Sequence, residues 1–414
     1  MIVKLHATLL YLNQSREIIV KNMTKESRLN LFLCGLVSIG SLAMVIYLPS
    51  MPEISQNLHA SSQNTELTLT LYMLTFGLSQ LIYGPLSDHF GRRPIILLGC
   101  GLYVIFTLIS ALAPNIETLL VARALEGIGA GGITALARAS VNDVFTGKKL
   151  TAVLSYTSIA ASLGVMLSPT LGGYLQVYFN WRANFYFLAL YSAFFWLITW
   201  LWFKETKPIH QQAQSVLKMA LSRYAEVLSN RQYLFFMLSG SISFMGSAAY
   251  YVVSPFLYQH ALGVQPQTYG YFFLLTSGCF ITGGFSNKWL HAHEKERLIG
   301  GNLLLILAAG LILGIGLAGH LSILALLLPM ALYMFALGIV FPSTMIAAVR
   351  RLKTIAGTAA AVMGCCQTVA AAAATALMAH LAQMNQVPLG FVLLGITLAS
   401  AILSGVALIS DKLT

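Results

Sequence analysis

From Leu29 onward, apolar runs of about twenty residues alternate with short polar breaks, and that is the length a helix needs to cross a bilayer. The runs lie near 31–51, 65–86, 94–113, 118–140, 151–174, 184–203, 233–257, 268–289, 299–318, 321–343, 356–382 and 389–409. The pattern predicts an all-α membrane protein of twelve transmembrane helices. Short segments of alternating polarity, the mark of a membrane β-barrel, are absent. The longest polar break divides the spans six and six. The predicted domains are therefore a tail over 1–28, a six-helix bundle over 29–203, a linker over 204–232 and a second bundle over 233–414. In the linker, Leu217, Leu221, Tyr224 and Leu228 recur at helical spacing, with Lys218, Arg223 and Glu226 elsewhere on the turn. That spacing predicts an amphipathic helix on the membrane face.

Composition agrees with the pattern. The chain is 57% hydrophobic and 9% charged, against roughly 25% charged in a soluble domain. A net charge of +11 would by itself suggest nucleic acid or anionic ligands. Its distribution reads instead as topology. With the N-terminus inside, all but three of the 24 Lys and Arg fall in cytoplasmic segments, as the positive-inside rule requires. The exceptions are Arg123 and Arg138 in the fourth span and Arg182 outside, beside Trp181 as an interface anchor. Both termini are thus expected in the cytoplasm. The five cysteines lie in apolar runs without metal-ligand spacing. The apolar piece from Leu9 to Leu12 is too short for a signal peptide, and Met23 is a candidate translation start.

Between the second and third spans the chain reads Gly84-Pro-Leu-Ser-Asp88-His89-Phe-Gly91-Arg92-Arg93-Pro94. Gly91 allows a tight reversal, and Pro94 suits the first turn of the next helix. The stretch resembles the Gly-x-x-x-Asp-Arg-x-Gly-Arg-Arg signature of the major facilitator superfamily. Gly84, Asp88, Gly91, Arg92 and Arg93 match, and His89 departs from the usual Arg. A fainter copy, Gly283-x-x-Ser286-Asn287, follows the eighth span, as expected of two related bundles with binding between them near the midplane.

The fourth span carries Arg123 and Glu126. Of the thirteen acidic residues, Glu126 alone lies well inside a span; the others, Glu66 included, sit in tails, loops or helix ends. Three residues apart, Arg123 and Glu126 share a helix face. Desolvation favours the neutral acid and the neighbouring guanidinium favours the carboxylate, so the pair either exchanges a proton or is a static ion pair that orients the helix. The segment resembles the family's Leu-x-x-x-Arg-x-x-Gln-Gly pattern, with Glu126 in place of Gln. The first span ends Val45-Ile-Tyr47-Leu-Pro49-Ser-Met-Pro52-Glu53 and resembles the Asp-Met-Tyr-Leu-Pro-Ala-Leu-Pro stretch of Bcr/CflA-type drug transporters, with Val45 in the acidic place. The fifth span, with Gly164, Ser168, Pro169, Gly172 and Gly173, is similar to the Gly-x-x-x-Gly-Pro-x-x-Gly-Gly signature of antiporters. Its small residues recur every four positions, which also suits close helix packing.

Arg138 lies within about 60° of Arg123 around the helix. Arg138 and Asp143 are expected to join Asp88 and Arg92 in a cytoplasmic gate network. By analogy with the cavity-lining helices of the family, the candidates for substrate binding are Tyr47, Tyr72, Tyr156, Phe244, Tyr250, Tyr251 and Gln367. His291-x-His293 lies in a charged loop and needs no metal. No phosphate loop, catalytic triad order or zinc spacing is present, so no cofactor is expected and any energy for transport comes from a gradient. The resemblance, strengthened by Asn180-Trp181-Arg182, Glu205-Thr206 and Ser254-Pro255-Phe256, points to the Bcr/CflA and EmrD-like branch. It implies a monomeric exporter in a bacterial inner membrane that exchanges drugs or other lipophilic molecules for protons by alternating access. A transporter of one metabolite or siderophore on the same fold is the alternative. A membrane sensor or enzyme is a remote third.

Overall fold

The computed structural model describes residues 25–207, 213–289, 293–352, 355–381 and 385–410. Met23 and His291 lie outside them. Among the described residues all regular structure is helical. The twelve long helices are α1 (Lys25–Val45), α2 (Ser62–Phe90), α3 (Arg92–Ala111), α4 (Ile116–Val144), α5 (Gly147–Tyr178) and α6 (Arg182–Leu201) in the first half. In the second they are α7 (Arg231–Phe256), α8 (Pro266–Trp289), α9 (Glu294–Leu317), α10 (Ile323–Arg350), α11 (Ala356–Ala379) and α12 (Val387–Ser410). Eleven are long and apolar enough to cross a membrane. The remaining one, α8, has 24 residues, but Thr276, Ser277, Thr282 and Ser286 interrupt its apolar sequence.

Local chemistry sets the helix ends. Ser61, Asn115, Asn230 and Ser322 each accept a hydrogen bond from the backbone amide three residues on, which caps α2, α4, α7 and α10, satisfying donors that a helix start leaves open. The first span breaks where prolines enter it. After Val45 come a 3-10 turn, Leu48–Ser50, and a short helix, Met51–Asn57, with Pro49 and Pro52 in their first turns. The helix also begins earlier than expected, at Lys25 inside the predicted tail. Past Pro255, α7 runs into a π turn, Leu257–Ala261. The predicted linker helix is present as Ala213–Ser229. It packs against both α2 and α11, buries Val227 and leaves Leu221 and Leu228 exposed. The Tyr224 hydroxyl donates to the Leu81 carbonyl at 2.9 Å.

Helices α1 to α6 pack among themselves, as do α7 to α12, and the two bundles meet along α2 with α11 and α5 with α8. Among the described residues, hydrogen bonds cross between them from Gln259 to the Pro49 carbonyl (2.7 Å), from Thr170 to the Gly270 carbonyl (2.9 Å), and between Tyr174 and Tyr271 (2.5 Å), Thr70 and Thr375 (2.8 Å) and Gln56 and His260 (3.4 Å). These bonds belong to the half away from the Asp88 loop, so they fasten the bundles at that far end. Near the charged loops, Arg138 and Asn142 on α4 and Thr151, Ser155 and Tyr156 on α5 are exposed.

Candidate functional site

Glu126 and Arg123 form a fully buried ion pair, Oε2 to Nη1 at 2.5 Å, with both side chains 0% exposed. The second Arg123 amino group donates to the Ala43 carbonyl at 3.1 Å, where α1 is about to end. The guanidinium carbon lies 4.5 Å from the Tyr47 ring centroid, 4.2 Å from that of Tyr72 and 5.8 Å from that of Phe185. A desolvated cation on aromatic faces gains about 2 kcal/mol, and here two tyrosines flank one guanidinium. The rings are themselves held: the Tyr47 hydroxyl bonds Thr68 at 3.0 Å, and Tyr72 donates to the Gly40 carbonyl at 3.0 Å. Tyr47 and Tyr72, two of the substrate candidates, thus wall the ion pair and are wholly buried.

Glycines let α4 come this close to its neighbours. A Cβ on Gly127 would press on the Tyr72 carbonyl, and one on Gly129 on the Gly99 carbonyl. Val45, in the place of the family's acid, is buried. A second acid is also fully buried: Glu66, one turn into α2, which its position near a helix end did not reveal.

The charged loop forms a network. Asp88 meets Arg92 at 2.8 Å, Arg92 meets Asp143 at 2.8 Å, and Lys207 reaches Asp88 at 2.7 Å. Ser87 also accepts from Arg92. Gly91 has φ +93°, and a side chain there would strike the Glu205 carboxylate. The Arg93 guanidinium donates to the carbonyls of Trp200, at 2.6 Å, and Thr199, at 3.4 Å. The expected network therefore holds Asp88, Arg92 and Asp143 but not Arg138, which is exposed and makes no ion pair among the described residues. The reason is angular: five residues before Asp143, Arg138 points about 140° away from it around the helix. Lys207 and Glu205 take part instead, and nothing in the loop's own sequence signals them. In the second bundle the Asn287 side chain takes the analogous place, donating to the Ile339 carbonyl at 3.3 Å and accepting from Ser343 at 3.5 Å, while Arg297 donates to the Asn287 backbone carbonyl at 3.3 Å.

On α5, Gly164 faces Ser41, and Gly172 lies where a Cβ would overlap the Ile46 carbonyl, so the small-residue face packs on α1. Ser168 and Pro169 are buried in the same stretch. Gly173 turns the other way, onto the Pro266 carbonyl and Gln267 of α8. The motif thus closes contacts both within the bundle and across the far end.

The other substrate candidates are scattered. Tyr250 and Tyr251 lie buried in the second bundle, Tyr251 at 4.9 Å from Phe273. Phe244 packs on Phe341 at 5.4 Å, Gln367 is half-buried and Tyr156 is exposed. Trp181 is buried against Phe185 rather than standing at an interface, with the Arg182 guanidinium 4.2 Å from its ring, because the α5–α6 corner packs over the broken end of α1. An apolar groove of about 750 Å³ opens between α1, α5 and α6, lined by residues such as Phe32, Leu163, Leu167 and Phe194.

Two bundles of six helices, a charged reversal after α2 and its weaker copy after α8 make up the frame of one transporter family, and residues 31–375 match the model of the Major Facilitator Superfamily. The chain belongs to that family. Its members are transporters rather than enzymes. An uncharacterized MFS-type transporter, YdgK of Bacillus subtilis, is 33% identical over 352 residues, 83% of this chain and 87% of the relative. Multidrug resistance protein D of Escherichia coli is 29% identical over 377 residues, 90% and 94% of the two chains. A bicyclomycin resistance protein homolog of Haemophilus influenzae is 25% identical over 380 residues, 89% and 94%. Among solved structures, a D-xylose-proton symporter superposes with TM-score 0.74 at 14% identity, over 92% of this chain and 97% of the symporter, a likeness of fold.

Proposed function

We propose that this transporter is a secondary active exporter of drugs or other small lipophilic molecules, that it exchanges them for protons, and that Glu126 carries the proton. It would reside in a bacterial inner membrane, with the Asp88 loop and both termini on the cytoplasmic side and the closed far end outside. The observation that carries the reading is the fully buried Arg123–Glu126 pair between Tyr47 and Tyr72. A carboxylate kept out of water is costly unless paired, and inside a membrane protein such a group usually marks a proton or substrate pathway. Two relatives named for drug resistance, matched over most of the chain, support the substrate class. So does the apolar groove between α1, α5 and α6.

Bundles closed outside and exposed near the charged loops correspond to one side of an alternating-access cycle. Protonation of Glu126 would remove the charge that Arg123 holds. That loosens α4 from the end of α1, where Arg123 also binds the Ala43 carbonyl. The test uses proteoliposomes, lipophilic cations such as ethidium and an imposed pH gradient, with wild type compared to Glu126→Gln. Uphill accumulation by wild type alone supports antiport through Glu126. Downhill equilibration by both proteins makes the pair structural. Uphill transport by Glu126→Gln places coupling elsewhere.

A further inference from the structure

Glu126 has an unusual set of neighbours on α3. Tyr103, Thr107 and Ser110 stand at i, i+4 and i+7, one face of a helix, and all three are fully buried. That face meets α4, with Gly129 seated between Gly99 and Tyr103. Thr107 and Ser110 are within side-chain interaction range of the Glu126 carboxyl, and Thr107 of the Tyr103 hydroxyl. Helical side chains lean toward their own N-terminus, so Glu126 reaches toward the far end of α4, where these hydroxyls lie.

The hydrogen-bond accounting at this spot does not close within the protein. Tyr103 Oη, Thr107 Oγ1, Ser110 Oγ, Glu126 Oε1 and Arg123 Nε are all buried without a partner. Many buried helical hydroxyls bond a carbonyl one turn back, as Thr157 does on Leu154 and Thr199 on Phe195. Others, Thr134, Ser140, Ser168, Ser192 and Ser241, have no partner, but none of these stands beside a buried carboxyl. Thr107 and Ser110 lack a partner and do stand beside one. Buried polar groups are ordinarily bonded to protein or to internal water, and five such atoms in one cluster supply the two to four partners an internal water needs.

We infer that Thr107 and Ser110, with internal water and with Tyr103 bounding it on the inner side, form a proton relay that connects Glu126 to the far side of the membrane. This rests on the reading of Glu126 as the proton carrier. Thr107 to Ser110 covers about 4.5 Å of helix. Ser110 lies in the last turn of α3, next to Leu112, which is 65% exposed, and to the Ala113 carbonyl held by Arg182 at 3.0 Å. Ser110 is itself fully buried, so the route ends in the last turn of α3, just short of the far surface, with the far-end contacts between the bundles in place. A proton entering at Ser110 is passed by water and hydroxyl. Each hydroxyl accepts one proton and gives up another, so each is unchanged at the end. The proton finishes on Glu126 Oε1, giving the neutral acid and leaving Arg123 as the unpaired cation. The ionisable groups around that carboxyl are Arg123 on α4, Tyr47 beyond α1, Tyr72 on α2 and Tyr103 on α3. The aliphatic end of α1 contributes none.

The test combines Thr107→Val with Ser110→Ala, which removes both hydroxyls at nearly constant volume. In pH-gradient-driven ethidium accumulation the double variant should fall by about a hundredfold, the usual worth of a positioned proton-transfer group. Thr107→Ser, which keeps both hydroxyls, should stay within about twofold of wild type. A local readout needs no substrate: the infrared carbonyl band of the protonated Glu126 carboxyl, identified by its loss in Glu126→Gln, should move to higher frequency in the double variant as hydrogen bonds disappear. An unchanged band with wild-type accumulation overturns the relay. If Glu126→Gln itself accumulates ethidium uphill, the coupling role of Glu126 fails first and the relay with it. If Glu126→Gln is inactive and the double variant is not, only the relay fails.

Discussion

The Glu205 carboxylate accepts the backbone amide of Arg92 at 2.8 Å, across 113 residues of chain. Its other oxygen accepts the Arg93 amide at 3.1 Å, while the Thr206 and Lys207 amides donate to the first oxygen at 3.0 and 3.1 Å. One acid thus caps the start of α3, where a helix leaves its first amides open and carries partial positive charge. The segment leaving α6 and the reversal between α2 and α3 are thereby joined. Lys207 adds a second fastening at Asp88, and the linker helix a third through Tyr224. These contacts tie the linker to α2.

Replacing Glu205 by Ala removes the cap and leaves four amides to water. The expected loss is about 1 kcal/mol, typical of an N-terminal cap, seen as a melting temperature a few degrees lower in detergent. Glu205→Gln, which keeps one acceptor oxygen, should lose about half as much. Equal melting of all three proteins would show that the loop is held by its ion pairs alone.

Arg123→Ala leaves Glu126 buried without its cation, a change that costs about 3–5 kcal/mol in buried pairs. Transport should be lost and thermal stability should drop. Arg123→Lys should not restore transport, because an ammonium cannot both span to the Ala43 carbonyl and lie flat between Tyr47 and Tyr72. Flux measured against surface expression decides it. Wild-type flux in Arg123→Lys would mean that charge alone suffices at this position.

The twelve helices were legible because a bilayer demands about twenty apolar residues per crossing and cytoplasmic loops collect Lys and Arg. The Arg123–Glu126 pair was legible for a local reason, since spacing of three fixes a helix neighbour. The broken end of α1 was not foreseen, although Pro49 and Pro52 lie where it falls. The partners that come from distant chain were not legible. Nothing near Asp88 points to Lys207 or Glu205, and nothing in Tyr47 or Tyr72 distinguishes a wall of the ion pair from a lining of the substrate path. Tyr103, Thr107 and Ser110 read as ordinary polar residues in a span until α4 is packed against them. Arg138 shares a face with Arg123 but does not reach Asp143 in this state, which is exposed near the charged loops.

Gly172 and Gly173 are adjacent but answer to different neighbours, Ile46 of the same bundle and Pro266 of the other. A larger residue at Gly172 must displace the first span from its own bundle. Gly172→Val should therefore destabilise the fold, by about 1–3 kcal/mol for an overpacked site. Gly173→Val should leave the melting temperature near wild type and hold the far ends of the bundles apart. Cysteine labelling at Gln259, which binds the Pro49 carbonyl in the closed state, would rise in Gly173→Val. Unaltered labelling there would mean that the α5–α8 seam yields without opening.

Asp88 binds Arg92 and Lys207 together, with its side chain 32% exposed and that of Lys207 29% exposed. At that exposure one pair is worth less than about 1 kcal/mol, so Lys207→Ala alone should change turnover by no more than about fivefold. Asp88→Asn removes both pairs and frees Arg92, itself nearly buried, to bind Asp143 alone. Turnover should then fall about tenfold or more, while the affinity for a lipophilic cation, read by fluorescence titration of the purified protein, stays within about twofold. That split separates a residue of the conformational cycle from one of the binding site. A parallel loss of affinity and turnover would instead put the loop in contact with substrate, and unchanged turnover would reduce it to a signal for membrane orientation.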